Sequence, residues 1–65
     1  MQIHINGKAE ESVAETIAEL ISERKLATKS LVVEHNRTIV KQARWAEVQL
    51  HDGDKIELLS FVGGG

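Results

Sequence analysis

Only one stretch of this 65-residue chain has helical periodicity, and strand-like runs flank it on both sides. Val13, Ile17, Leu20 and Ile21 fall at i, i+4, i+7 and i+8, which at 100° per residue gathers them into one stripe. A lone amphipathic helix needs a second layer on which to bury that stripe, and a sheet made from the flanking runs is the layer available. No cysteine is present to staple the chain. A domain this small buries only about 60% of the surface its unfolded chain exposes, so a modest stability of about 5 kcal/mol is expected.

Met1, Ile3 and Ile5 alternate with Gln2, His4 and Asn6, the period-two signature of a half-buried strand. Asn6-Gly7 tolerates positive φ, and Lys8 to Glu11 can return as a second strand, so the opening reads as a β-hairpin. Ser12-Val13-Ala14-Glu15 has the capping-box pattern, which predicts a helix starting at Ser12. Glu15, Glu19 and Glu23 then form a ridge on the far side of the helix, read as a solvated face rather than an acidic docking face. Glu10 and Glu11 before the helix, and Arg24 and Lys25 at its end, suit the macrodipole.

Leu31 to His35 and Thr38 to Val40 are β-branched runs separated by Asn36-Arg37, which predicts a second antiparallel pair. Glycine is the usual residue at the Arg37 position of such a turn, so either Arg37 adopts positive φ with a strain of about 1 kcal/mol or the loop opens further. His51-Asp52-Gly53-Asp54 is a turn by composition, and Lys55 to Phe61 is the last strand. The order is ββαββ with a short piece before the final strand: an α+β domain with one main helix on a mixed four- to five-stranded sheet. The first and last strands are expected to be adjacent and central. The expected core is Ile3, Ile5, Val13, Ile17, Leu20, Ile21, Val32, Ile39, Leu50, Ile56 and Leu58.

The last strand runs into Phe61-Val62-Gly63-Gly64-Gly65. Glycine has no Cβ, so such a tail can thread a narrow cleft in extended form. At up to 3.3–3.6 Å per residue, three glycines could carry the Gly65 carboxylate roughly 10 Å past the last packed residue. The division expected is a folded domain over residues 1–62 and a flexible tail over 63–65. A bland alternative for the tail is a linker. Leu59 and Phe61 have the opposite parity to Ile56 and Leu58, which suggests that Leu59, Phe61 and Val62 form an apolar docking patch beside the tail. Trp45 reads as a cover over one edge of the core rather than as an interface anchor.

Eight Lys/Arg against ten Asp/Glu give a net charge of −2. The basic residues are scattered, which argues against nucleic-acid binding through a basic patch. His4, His35 and His51 lack the spacing of a structural zinc site, so no metal is expected. The apolar runs are too short for a membrane span, and the chain opens directly on a strand pattern without a signal peptide. The default expectation is a soluble, cytoplasmic protein. No phosphate-binding glycine loop lies inside the domain, and no carboxylate is paired with a histidine or nucleophile in sequence. The chain does not read as an enzyme.

The pattern Met1-x-Ile3-x-Ile5-Asn6-Gly7, Ser12-Val13, Val33-Glu34-x-Asn36, Trp45, Leu50-x-x-Gly53-Asp54-x-Ile56-Glu57 and Phe61-Val62-Gly63-Gly64-Gly65 resembles the sulfur carrier proteins of thiamine biosynthesis, the ThiS family. The likeness runs the whole length of the chain. It departs at Lys41-Gln42, where many relatives carry Pro-Arg, and at Arg37, where glycine is frequent. The resemblance implies a ubiquitin-like β-grasp fold. It also implies a carrier cycle in which an E1-like, ThiF-like adenylyltransferase uses Mg-ATP to convert Gly65 to an acyl-adenylate. Sulfur from a persulfide donor then leaves a thiocarboxylate on Gly65, which goes to a ThiG-like thiazole synthase. Gly64 completes the terminal pair, no cofactor is bound by the carrier itself, and Leu59, Phe61 and Val62 would meet the partners. The rival readings are a carrier of the molybdopterin-synthase small-subunit type and a noncatalytic ligand-binding β-grasp module.

Overall fold

A computed structural model describes residues 1–60. Strand β1 spans Gln2–Ile5, β2 Lys8–Glu11, β3 Leu31–His35, β4 Thr38–Val40 and β5 Lys55–Ser60. They form one sheet in the order β2-β1-β5-β3-β4. The first and last strands are adjacent and parallel, pairing Ile5 with Ile56, and all other pairs are antiparallel. One helix, α1 (Ile17–Glu23), covers one face. This is the ubiquitin-like β-grasp arrangement the sequence led us to expect.

Both hairpins close through two residues of positive φ: Asn6 at 52° and Gly7 at 81°, Asn36 at 50° and Arg37 at 73°. Two successive positive φ values match the right-handed twist of the flanking strands. Arg37 therefore does take the left-handed conformation, at a cost of about 1–2 kcal/mol for a residue with a Cβ.

The helix starts four residues later than the capping pattern at Ser12 implied. Thr16 is the N-cap, and its hydroxyl accepts from the Glu19 amide at 3.1 Å. The first two helical amides find carbonyls outside the helix, Ile17 N–H on Val48 at 3.2 Å and Ala18 N–H on Trp45 at 3.1 Å. Residues 45–50 thus supply acceptors for amides that a helix leaves unpaired, and this selects Thr16-x-x-Glu19 over Ser12-x-x-Glu15. The Ser12 hydroxyl instead accepts from the Ala14 amide at 3.0 Å and donates to Glu23 Oε1 at 2.9 Å. Glu23 also accepts from the Val13 amide, and Glu19 from the Glu15 amide. Glu15 precedes the helix, so the expected acidic ridge is not a continuous face. Arg24 is the helix C-cap and pairs with Glu10 at 2.6 Å, a bond that holds the Glu10 carboxyl below its usual range.

The helix ends in a Schellman arrangement, with Leu26 N–H on the Ile21 carbonyl and Lys25 N–H on that of Ser22. Lys25 occupies the left-handed position, at φ 56°, that glycine usually takes.

The core comprises Ile3, Ile5, Ala14, Ile17, Leu20, Ile21, Val33, Trp45, Leu50 and Ile56. Three expected members are displaced from it. Val13 is 88% exposed because it lies ahead of the true helix start. Ile39 is 64% exposed, and Val33 rather than Val32 faces the helix. The continuous run Leu31-Val32-Val33 has no polar residue to mark which parity points inward. Leu58 is half-buried and packs against the core. Trp45 is buried, with its indole N–H donating to the Val40 carbonyl at 2.8 Å, and closes the core as a cover.

Candidate functional site

Strand β5 carries the candidate site because it leads toward the glycines and occupies the centre of the sheet. β3 pairs with it from Leu31↔Ser60 to His35↔Ile56. On its other side β1 ends at Ile5, but the Asn6 side chain continues the ladder. Asn6 Oδ1 accepts the Leu58 amide at 2.8 Å, and Nδ2 donates to the Leu58 carbonyl at 3.3 Å. Asn36 performs the same service from the β3 side, its Oδ1 accepting the Lys55 amide at 2.9 Å. The first residue of each hairpin turn thus grips the central strand by its side chain.

The root of β5 is tied further through Asp54. His35 Nε2 donates to its Oδ2 at 2.7 Å, Asn36 Nδ2 to its Oδ1 at 3.1 Å, and the His51 amide to Oδ2 at 2.9 Å. Burial, the largest single influence, would raise the Asp54 pKa; the three hydrogen bonds together outweigh it and hold the carboxyl below the ordinary aspartate value. Sequence inspection missed this cluster, since His35, Asn36 and Asp54 meet only through the β3–β5 pairing. The Val33-Glu34-x-Asn36 and Gly53-Asp54 signatures were its only trace.

The face of the sheet away from the helix is the other half of the site. Successive strand residues alternate sides, so Leu59 lies opposite in parity to buried Ile56 and is 43% exposed. It pairs directly with Val32, while Ile39 stands across from Glu34 on the same face. The structure thus places Leu59 on an exposed sheet surface with Val32 beside it and Ile39 farther across the same face on β4, two residues the sequence had assigned to the core. Phe61 and Val62, and the tail residues Gly63, Gly64 and Gly65, lie outside the described residues. Among the described residues no group of three or more His, Cys, Asp or Glu side chains is arranged to hold a metal ion. Likewise, no helix among them is long and apolar enough to cross a membrane.

Comparison with known proteins agrees with this architecture. The sequence profile of the ThiS family matches residues 3–65. The sulfur carrier protein ThiS of Bacillus subtilis is 44% identical over 50 residues, covering 77% of this chain and 76% of that one. A thiazole synthase of Paramagnetospirillum magneticum is 36% identical over 66 residues, covering all of this chain and 20% of the synthase. The chain thus spans about a fifth of the length of that relative. The crystal structure of the thiamine biosynthesis protein ThiS from Geobacter metallireducens superposes with a TM-score of 0.84 at 33% identity, covering 100% of both chains. With the profile running through the terminal glycines and the fold matched along its full length, this chain belongs to the ThiS family.

Proposed function

We propose that this chain is a sulfur carrier of thiamine biosynthesis, working through a thiocarboxylate on Gly65. The observation that carries the reading is the family match over residues 3–65, which includes the terminal glycines. An α-carboxylate has a pKa near 3.3–3.7, so at neutral pH it is ionised and a poor electrophile. It needs a leaving group before sulfur can be attached. A ThiF-like adenylyltransferase supplies one: with Mg-ATP the Gly65 carboxylate displaces pyrophosphate and becomes an acyl-adenylate. The terminal sulfur of a persulfide then attacks the acyl carbon and expels AMP, and thiol reduction of the S–S bond leaves the thiocarboxylate. A ThiG-like thiazole synthase takes the sulfur for thiazole formation.

The carrier is not itself an enzyme in this reading; its own contribution is geometric. A side chain at Gly64 or Gly65 would crowd the approach to the activating site. Central strand β5, held by Asn6 and Asn36, projects the chain toward that site from a fixed root. Leu59, with Phe61 and Val62 following it, gives the partner an apolar surface to grip beside the tail. A thiazole synthase that contains a segment similar to this whole chain supports such an enzyme as the sulfur acceptor. The compartment that suits ATP-dependent activation is the cytoplasm.

The test is intact mass after incubation with Mg-ATP, a persulfide donor and the adenylyltransferase, beside a variant lacking Gly65. A gain equal to sulfur replacing one oxygen, absent from the truncated form, is the expected result. No adenylate and no thiocarboxylate would return the chain to the ligand-binding-module reading. Sulfur passed to a molybdopterin precursor rather than to the thiazole synthase would favour the alternative carrier role.

A further inference from the structure

Glu34 and Glu57 sit directly opposite each other on β3 and β5, on the sheet face away from the helix. Directly opposed residues have Cβ atoms about 4.5–5.5 Å apart, and like charges in that position destabilise a sheet. Among the described residues neither carboxylate has an ion-pair or hydrogen-bond partner. The salt bridges present join Met1 to Glu11, Arg24 to Glu10, His35 to Asp54 and Arg44 to Glu47. Lys55 shares the face two residues from Glu57 and pairs with neither glutamate. The next rung is the apolar pair Val32↔Leu59, and Ile39 lies across from Glu34 on the other side. Two carboxylates without a partner among the described residues thus face each other between the apolar Val32, Leu59 and Ile39 on one side and His4 and Lys55 on the other, at a cost to the isolated protein.

We propose that Glu34 and Glu57 together form the receptor for one arginine of a protein partner. Its guanidinium enters between the carboxylates while its stem and the neighbouring apolar surface of the partner cover Val32, Leu59 and Ile39. A guanidinium presents five N–H donors in a rigid planar fork that can meet one carboxylate along each edge, a geometry that the compact, strongly hydrated ammonium of lysine matches less well. Its aliphatic stem packs on apolar side chains while the head stays with the charges. This deepens the proposed carrier role and rests on it, since it names the chemistry by which the partner enzymes recognise the sheet.

The experiment measures binding of the full chain to the adenylyltransferase and to the thiazole synthase at low and high salt, with thermal melts of each variant. The double variant Glu34→Gln/Glu57→Gln is expected to bind at least one of the enzymes about tenfold or more weakly and with less salt dependence. Its melting temperature should equal or exceed that of the parent, because repulsion is relieved. Glu15→Gln makes the same kind of charge change ahead of the helix and should bind within about twofold of the parent. The proposal is overturned if the double variant binds both enzymes as tightly as the parent, or if Glu15→Gln weakens binding as much. If the parent becomes thiocarboxylated while the double variant binds unchanged, only the arginine receptor fails. A parent chain that binds neither enzyme takes the carrier reading down as well.

Discussion

The side-chain amide of Asn6 binds both backbone groups of Leu58, accepting the N–H at 2.8 Å and donating to the carbonyl at 3.3 Å. A single side chain thereby stands in for one further residue of β1 against the central strand. The same residue opens the β1–β2 turn at φ 52°, so its backbone and its side chain can be tested apart. Asn6→Gly keeps the turn and removes the clamp, with an expected loss of about 1 kcal/mol. Asn6→Ala should cost about 1–2 kcal/mol more, through the left-handed strain of alanine. Hydrogen exchange at the Leu58 amide should accelerate in both variants, and unchanged exchange would refute the clamp.

Arg37 and Lys25 hold positive φ values of 73° and 56°. Arg37→Gly and Lys25→Gly should each raise stability by about 0.5–1 kcal/mol, the strain relieved less the added entropy of the unfolded chain. In a domain of this size that corresponds to a melting shift of about 2–8 °C, readable by calorimetry.

Acid stability should depend on Asp54. Its folded pKa is lowered, so the stability it contributes is present above the unfolded aspartate pKa and is lost as pH falls through the folded value. Asp54→Asn should therefore be less stable than the parent at pH 7. Between about pH 5 and pH 2 its denaturation midpoint should vary less with pH than the parent's. Parallel curves for the two proteins would show that the carboxylate's hydrogen bonds carry no net charge preference.

Leu20 is fully buried under the sheet, whereas Leu59 lies on its open face. Leu20→Ala should cost about 2–5 kcal/mol, enough to leave much of the chain unfolded at 37 °C. Leu59→Ala should alter the melting temperature little while slowing thiocarboxylate formation. If Leu59→Ala melts like a core truncation, the residue belongs to the fold and its docking role fails.

Trp45 reports on the core directly. Its buried indole should give blue-shifted emission in the folded protein. Trp45→Phe should lose about 1 kcal/mol, because the Val40 carbonyl gives up the indole donor.

Local chemistry was legible wherever one short segment held all the information. Asn6-Gly7 specified a tight turn through its tolerance of positive φ, Asn36-Arg37 marked a second turn by separating two β-branched runs, and the alternation of Met1 to Ile5 specified a strand with one buried face. The single amphipathic stripe required a sheet beneath it, which with the strand pairs led to an α+β domain, and the family resemblance implied its β-grasp arrangement. The terminal glycines were the reason to look to the tail for function. Three-dimensional pairing decided the rest. Ser12-x-x-Glu15 and Thr16-x-x-Glu19 are equally good caps as sequence, and the carbonyls of Trp45 and Val48 chose between them from about thirty residues away. Whether Val32 or Val33 faced the helix depended on register against β5, because neighbouring apolar residues give no parity of their own. The same register set Glu34 against Glu57 and His35 beside Asp54. A residue's partner across a sheet is fixed by hydrogen bonds between distant segments, and those form only when the whole fold closes.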